Sequence, residues 1–296
     1  MVDKYLLRSL MFVPGHKEKL LNSAVNSDAD ALLLDLEDSV QPKNNKAIAR
    51  ENIINFINRG SLQKFHIFPR VNDRESGELL QDITQLSLPG VDGFMYPKAK
   101  TELDIYFFDK LLETIEYEKG FPIGKFKIIA LIETASAVLN AEAIAKASRR
   151  VIGLAFGNED FLMDIHGKND AEASSLFTPR AIIAMAAHSA KIIPIDTVHI
   201  KVHDLDDLES NLKVVVKLGY MGKLVLHPKE LDLVHKYFSP SIEEIEEATQ
   251  MIQSYEENKK QGTGVAIVNG MFVGPPLVRS AKNILSLNAL IDNKYK

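Results

Sequence analysis

The feature that most restricts how this chain can fold is an alternation: short apolar runs rich in β-branched residues, each followed by a longer stretch of helical period. That pattern marks repeated βα units around a parallel sheet. A strand buried on both faces reads as apolar throughout, while its crossover helix needs only one apolar stripe. Eight runs occur, at 9–14, 31–35, 65–70, 93–97, 128–133, 153–158, 192–196 and 222–227. Eight such units close into a TIM (β/α)8 barrel, and 296 residues suit one barrel with a short extension.

Between the runs, helices are marked by stripe and cap. Leu20, Leu21, Ala24 and Val25 follow the first run, and Phe107, Phe108, Leu111, Leu112 and Ile115 make one face after Thr101. Thr178-Pro179 predicts a helix with a capping hydroxyl and a proline at its first position. Leu208, Leu212, Val215 and Val216 form another face, which Gly219 can close with a left-handed turn. The polar stretch 167–178 is the best candidate for a mobile loop.

The barrel is predicted to end near Tyr237, giving a domain of 1–238 and a C-terminal helix-hairpin-helix extension of 239–296. Ser241 and Glu244 form a capping box for a charged helix to about Lys260, and Asn269-Gly270 is placed as a hairpin turn.

Composition removes whole classes of function. No apolar run approaches the roughly 20 residues of a spanning helix, so no membrane partner is expected. The chain has no cysteine, which excludes disulfides and thiolate chemistry, and its start lacks the apolar stretch of a signal peptide, so a cytoplasmic location is expected. A net charge of -5 without a basic run lacks the footprint of nucleic-acid binding.

In a parallel barrel the active site lies at the carboxyl ends of the strands. Five consecutive runs end in charge there: Asp35, Glu37 and Asp38; Arg70; Lys98; Glu133; and Glu159 with Asp160. Carboxylates converging in one pocket repel one another unless a cation sits among them, and oxygen ligands in that number suit Mg²⁺. Glu133 and Asp160, on neighbouring strands, would leave the remaining octahedral positions for water and a chelating substrate. Arg70 can clamp a carboxylate bidentately, so a small oxo acid is the expected guest. Solvated rim salt bridges are the alternative for any one of these residues alone.

The same segments carry a resemblance. Arg8-Ser9-Leu10-Met11-Phe12-Val13-Pro14-Gly15, Asp35-Leu36-Glu37-Asp38-Ser39-Val40, Pro69-Arg70-Val71-Asn72 and Pro97-Lys98 are followed by Leu131-Ile132-Glu133-Thr134-Ala135. Phe156-Gly157-Asn158-Glu159-Asp160, Gly222-Lys223-Leu224-Val225-Leu226-His227-Pro228 and Phe238-Ser239-Pro240-Ser241 complete the order. In that order they resemble citrate lyase β subunits, malyl-CoA and citramalyl-CoA lyases and their relatives, the HpcH/HpaI aldolase family. The resemblance implies a Mg²⁺-dependent lyase that cleaves a β-hydroxyacyl thioester, carried on coenzyme A or an acyl carrier protein, into an acetyl thioester and an α-oxo acid. It implies Glu133 and Asp160 as metal ligands and Arg70 as substrate clamp, with Glu37 and Asp38 holding metal-bound waters or orienting the ligands. Arg8 and Lys98 become basic positions at the mouth, meeting the oxo acid or the thioester phosphates, or forming salt bridges to Asp35 or Glu37. A homo-oligomer, with a trimer favoured, is also implied.

Two departures stand out. Relatives commonly carry a hairpin aspartate that acts as acid or base in a neighbouring subunit's site, and Gly274 stands in its place here. Where relatives have a tyrosine followed by an aspartate after the seventh strand, this chain has His199 and Lys201. Gly274 favours one alternative, a metal-dependent aldolase or decarboxylase on a free oxo acid. The resemblance to citrate lyase β subunits, which work alongside other chains, leaves a second, a non-catalytic barrel subunit of a larger complex, against which Glu133, Asp160 and Arg70 argue. His199 and His203 share the spacing of a zinc pair, but the intervening Ile200 and Val202 suggest an extended segment, and no third ligand is in view. His227 reads as a cap of the barrel rim, and His16 as a solvated turn histidine.

Overall fold

The computed structural model describes residues 5–60, 62–168, 174–260 and 262–295. The chain divides into two compact units, Leu7–His235 and Lys236–Lys296, the second taking in Tyr5 and Leu6. The division falls inside α10 (Leu231–Phe238), slightly before the boundary expected after residue 238.

In the first unit, β1 (Ser9–Pro14), β2 (Ala31–Asp35), β3 (His66–Ile67), β4 (Gly93–Tyr96), β5 (Lys127–Ile132), β6 (Val151–Phe156), β7 (Ile193–Asp196) and β8 (Gly222–Val225) form one sheet. Its order is β3-β2-β1-β8-β7-β6-β5-β4, and its pairs are parallel. The sheet closes at Arg70, whose backbone bridges Asp35 on one side and Met95 on the other. Arg70 N donates to Leu34 O at 3.0 Å, while Val71 N reaches Met95 O at 3.2 Å and Met95 N reaches Pro69 O at 2.9 Å. Pro69 has no N–H to donate, so the third strand is regular over only two residues although its path continues to the rim. The (β/α)8 barrel expected from the eight runs is therefore the fold.

Crossover helices cover the outside: α1 (Glu18–Ala24), α2 (Asn45–Asn58), α3 (Leu79–Leu86), α4 (Glu102–Lys119), α5 (Ala135–Leu139), α6 (Ala141–Lys146), α7 (Asn158–Asp164), α8 (Ser174–Ala190) and α9 (Leu205–Lys217). Thr101 caps α4 in a reciprocal box with Asp104, and Gly219 follows α9 at φ 89°. The α8 start differs from expectation. The helix begins at Ser174 and carries Pro179 inside it, which forfeits one ladder bond, to the carbonyl of Ser175, near the helix start. Of the stretch expected to be a mobile loop, 169–173 lie outside the described residues and 174–178 are helical.

Buried ion pairs fasten this outer layer. Arg50 meets Asp82 at 2.8 Å between α2 and α3, Arg150 meets Glu116 of α4 at 2.6 Å, and Arg180 of α8 meets Asp196 of β7 at 2.8 Å. Arg8 belongs to the same class, which corrects its placement at the mouth. It precedes β1 and so lies at the amino-terminal end of the barrel, opposite the rim. There its Nε and Nη2 bind the two oxygens of Asp30, both at 2.8 Å, with both side chains buried. Its guanidinium grips Asp30 at that end of the barrel, whereas Asp35 and Glu37 stand at the rim with Arg70.

In the second unit, α11 (Ile242–Lys260) starts on the expected box: Glu244 N donates to Ser241 Oγ at 3.1 Å and Ser241 N to Glu244 Oε2 at 2.8 Å. Strands β9 (Ala266–Val268) and β10 (Met271–Val273) pair antiparallel across Asn269 and Gly270, both at positive φ, and α12 (Pro275–Lys294) follows. Ala266, Val268, Val273 and Val278 make a small core against Met251, Ile252 and Tyr255. Among the described residues no helix is long and apolar enough to cross a membrane.

Replacing Arg8 with alanine leaves the Asp30 carboxylate buried without its main counter-charge. Arg8→Ala should therefore lose about 3–5 kcal/mol of stability in urea denaturation, with ligand affinity of the folded protein unchanged. A lowered affinity at unchanged stability would put Arg8 back among the binding residues.

Candidate active site

At the carboxyl ends of the strands a cavity of about 290 Å³ opens. Phe12 and Pro14 of β1, Asp35 and Asp38, Arg70, Glu133, and the turn from Phe156 to Asp160 line it, with Thr197, Val198, Leu224 and Leu226 completing the wall.

Arg70 organises one side. Its Nε reaches Asp35 Oδ1 at 2.6 Å and its Nη2 reaches Asp35 Oδ2 at 2.8 Å, a bidentate pair in which both groups are buried. Its Nη1 meets Glu37 Oε2 at 2.9 Å and Asp38 Oδ2 at 3.1 Å, and its Cζ stands 4.8 Å from the Phe12 ring centroid. Burial pushes the Asp35 carboxyl up, but the Arg70 charge together with hydrogen bonds from Arg70, Ser39 and the Glu37 backbone outweighs it and holds Asp35 below the ordinary carboxylate range. The bidentate edge expected to grip a substrate is thus occupied by the protein itself. Only the Nη1 end lies outside the Asp35 pair, and Glu37 and Asp38 share it.

Glu133 organises the other side. It is 2% exposed, at the end of β5, and its Oε1 accepts the backbone N–H of Lys98 at 2.6 Å. Lys98 holds φ 55°, a left-handed conformation uncommon for a residue with a side chain. Its ammonium pairs with Glu37 Oε1 at 3.0 Å and Asp73 Oδ2 at 3.1 Å. The salt bridge to Glu37, one of the two expectations for Lys98, is present. Its additional part, a main-chain donor to Glu133, was not foreseeable from residue type.

Behind Glu133 lies Gly157. A Cβ there would sit 2.8 Å from Glu133 Cβ and 3.0 Å from Glu133 Oε2, so the absence of a side chain makes room for the carboxylate. Burial, and then the charges of Glu37 and Asp160, raise the Glu133 carboxyl well above its ordinary value. Glu37, also buried, is pushed up to about 7 by burial and Asp38 against the opposing pull of Arg70. A divalent cation relieves this kind of like-charge crowding. Among the described residues no group of three or more His, Asp or Glu side chains stands ready to hold a metal alone. Two carboxylates with open positions for water and substrate fit Mg²⁺ in its usual protein setting. The residues present therefore suit the metal.

Thr197, directly after β7, makes a pair of bonds unnoticed from sequence. Its hydroxyl donates to Asn158 Oδ1 and accepts Asn158 N at 3.2 Å. The strand-end rule that selected Glu133 would have flagged it. The segment expected to be extended between His199 and His203 is instead a bend and turn over 200–203, and the two rings have different partners. His199 is buried with Nε2 3.1 Å from Asp204 O, whereas His203 stands edge-on to His227 at 5.7 Å. His227 Nδ1 accepts Lys229 N at 3.2 Å, the capping role expected of it. Lys201 pairs with Asp207 at 2.9 Å. Gly274 precedes α12 as its N-cap and contributes no side chain.

A closed parallel barrel with an acidic carboxyl-terminal rim places the chain among the (β/α)8-barrel enzymes. Residues 8–228 match the HpcH/HpaI aldolase/citrate lyase family, and the chain belongs to that family, whose named relatives include lyases. It is 31% identical to the citrate lyase subunit beta of Leuconostoc mesenteroides subsp. cremoris over 99% of this chain and 98% of that one. It is 29% identical to the human mitochondrial citramalyl-CoA lyase over 97% of this chain and 87% of the relative. Among solved structures, the CitE protein of Mycobacterium tuberculosis in complex with magnesium, acetoacetate and coenzyme A superposes with a TM-score of 0.74. That likeness covers 96% of this chain and 98% of the other at 22% identity.

The raised Glu133 carboxyl means that the folded chain holds a proton that an unfolded chain releases near its ordinary pKa. Stability from this group is present below the unfolded value and is lost as pH rises towards the folded one. The stability advantage of Glu133→Gln over the wild type in urea should therefore widen as pH rises above the ordinary carboxylate range, without added metal. A difference independent of pH would remove Glu133 from the crowded acidic cluster.

Proposed function

We propose that the chain is a magnesium-dependent carbon–carbon lyase that cleaves a β-hydroxyacyl thioester, such as a citryl, malyl or citramalyl group, into an acetyl thioester and an α-oxo acid. The observation that carries this reading is the buried Glu133 carboxyl, crowded by Glu37 and Asp160, beside a cavity that Asp160 and Arg70 also line. The names of the relatives and the magnesium, acetoacetate and coenzyme A in the mycobacterial neighbour support it.

In this reading Glu133 and Asp160 hold Mg²⁺, which supplies positive charge for the oxygen that becomes the carbonyl of the oxo acid. Arg70, tethered by Asp35, presents Nη1 to the substrate carboxylate. Glu37 and Asp38 keep that end oriented and yield it when a ligand carboxylate arrives. Cleavage removes the hydroxyl proton, turns the C–O bond into a carbonyl and passes the carbon–carbon electron pair to the thioester side. That fragment then takes a proton to become the acetyl thioester. Gly274 can move neither proton, which favours a second reading, aldol cleavage or decarboxylation of a free oxo acid. A substrate panel with coenzyme A thioesters, acyl carrier protein thioesters and free acids separates the two.

The hairpin of the second unit supports self-association. Ile267 and Phe272 are cross-strand partners and lie 76% and 67% exposed, a paired apolar surface suited to another copy of the chain.

Titration calorimetry should show oxaloacetate, glyoxylate or pyruvate binding only with Mg²⁺ present, and the double change Glu133→Ala with Asp160→Ala should abolish it. Arg70→Lys should weaken the oxo acid by about 2 kcal/mol, because a point charge replaces a tethered fork. Binding that survives the double change would sink the reading. Light scattering should show an oligomer, a trimer by resemblance to the family, and Ile267→Ser with Phe272→Ser should shift it towards monomer.

A further inference from the structure

Helix α7 carries Asp160 in its first turn, and its N-cap is Gly157, which makes no side-chain cap bond. Glycine is required there, because a Cβ would meet the Glu133 side chain at 2.8 Å. Room for one carboxylate is thus gained by removing the usual cap from the helix that carries the other. The missing cap is supplied from the next strand. Thr197 Oγ1 accepts Asn158 N at 3.2 Å and donates to Asn158 Oδ1, and Asn158 Nδ2 donates to Glu159 Oε1 at 2.9 Å. Thr197 is in turn fastened from outside the barrel wall. Lys223 of β8 donates from Nζ to Thr197 O at 2.6 Å and to Asp196 Oδ2 at 2.7 Å. Lys223 is 1% exposed and Asp196, which Arg180 also binds, is 0% exposed.

We infer that Thr197 and Lys223 are positioning residues: an external cap, held by a buried lysine, that fixes the first turn of α7 and so the placement of Asp160 opposite Glu133. The inference rests on the proposed role of those two carboxylates in holding Mg²⁺. No side chain of the pair needs to touch the metal or the substrate. The hydroxyl sets the helix start, and the ammonium holds the backbone carbonyl of the same residue.

The test uses Mn²⁺ and Mg²⁺ binding to the full chain in the presence of pyruvate, followed by paramagnetic resonance and calorimetry. Thr197→Val keeps the shape and loses the hydroxyl, and it should weaken the metal by about tenfold to a hundredfold. Thr197→Ser should restore wild-type affinity. Lys223→Met should weaken the metal in the same direction. If Lys223→Met fails to fold, Thr197→Val and Thr197→Ser still decide. Thr197→Val binding the metal as the wild type does, with only its melting temperature lowered, would overturn the inference, as would failure of Thr197→Ser to restore binding. A wild type that binds no metal would instead overturn the proposed function on which it rests.

Discussion

The pairing of Arg70 with Asp35 is where fold and site depend on one contact. The Arg70 backbone bridges Asp35 and Met95, so the barrel closes through the same residue whose guanidinium grips the Asp35 carboxylate. A buried pair of this kind is retained only when its geometry is good and its remaining donors are used. Here Asp35 accepts from the backbone of Glu37 and Ser39 as well, and Arg70 passes its last edge to Glu37 and Asp38. Barrel closure and rim charge are therefore set together. A displaced Arg70 side chain would disturb both the joint between β2 and β4 and the acidic cluster above it.

Much of this architecture was legible because burial on both faces leaves a direct trace in sequence. Runs 9–14 and 31–35 coincide with β1 and β2, since each is apolar apart from one end residue, Ser9 and Asp35. Run 65–70 is reduced to two regular residues because Pro69 cannot donate to a ladder, a local effect hidden inside an apolar pattern. Pro179 misled in the opposite sense. It suggested a helix start, but a helix tolerates one lost bond near its beginning, and α8 starts at Ser174.

The rim was legible by position and much less so by partnership. Strand-end placement brought Glu133, Asp160 and Arg70 to one cavity without any knowledge of distance. Which charge binds which is a three-dimensional fact. Asp35 rather than a ligand takes the Arg70 fork, and Lys98 serves Glu133 through its main chain, a bond that no residue type encodes. Arg8 shows how far position alone could have gone. It stands before its strand rather than after it, which already places it at the other end of the barrel beside Asp30.

Electrostatics explains why the two sides of the cavity differ. On one side Asp35 is surrounded by donors and held below its ordinary value; on the other Glu133 is buried among carboxylates and lifted above it. Burial raises both; at Asp35 the Arg70 charge and the surrounding donors reverse the sign, whereas at Glu133 the charges of Glu37 and Asp160 add to it. The structure thus concentrates its unmet demand for positive charge at Glu133, while the nearby guanidinium gives its fork to Asp35 and shares only Nη1 with Glu37 and Asp38. A small anion bridging an added cation and Arg70 Nη1 would answer both halves at once. In the proposed reading, that is why a chelating oxo acid would suit this rim better than a neutral ligand of the same size.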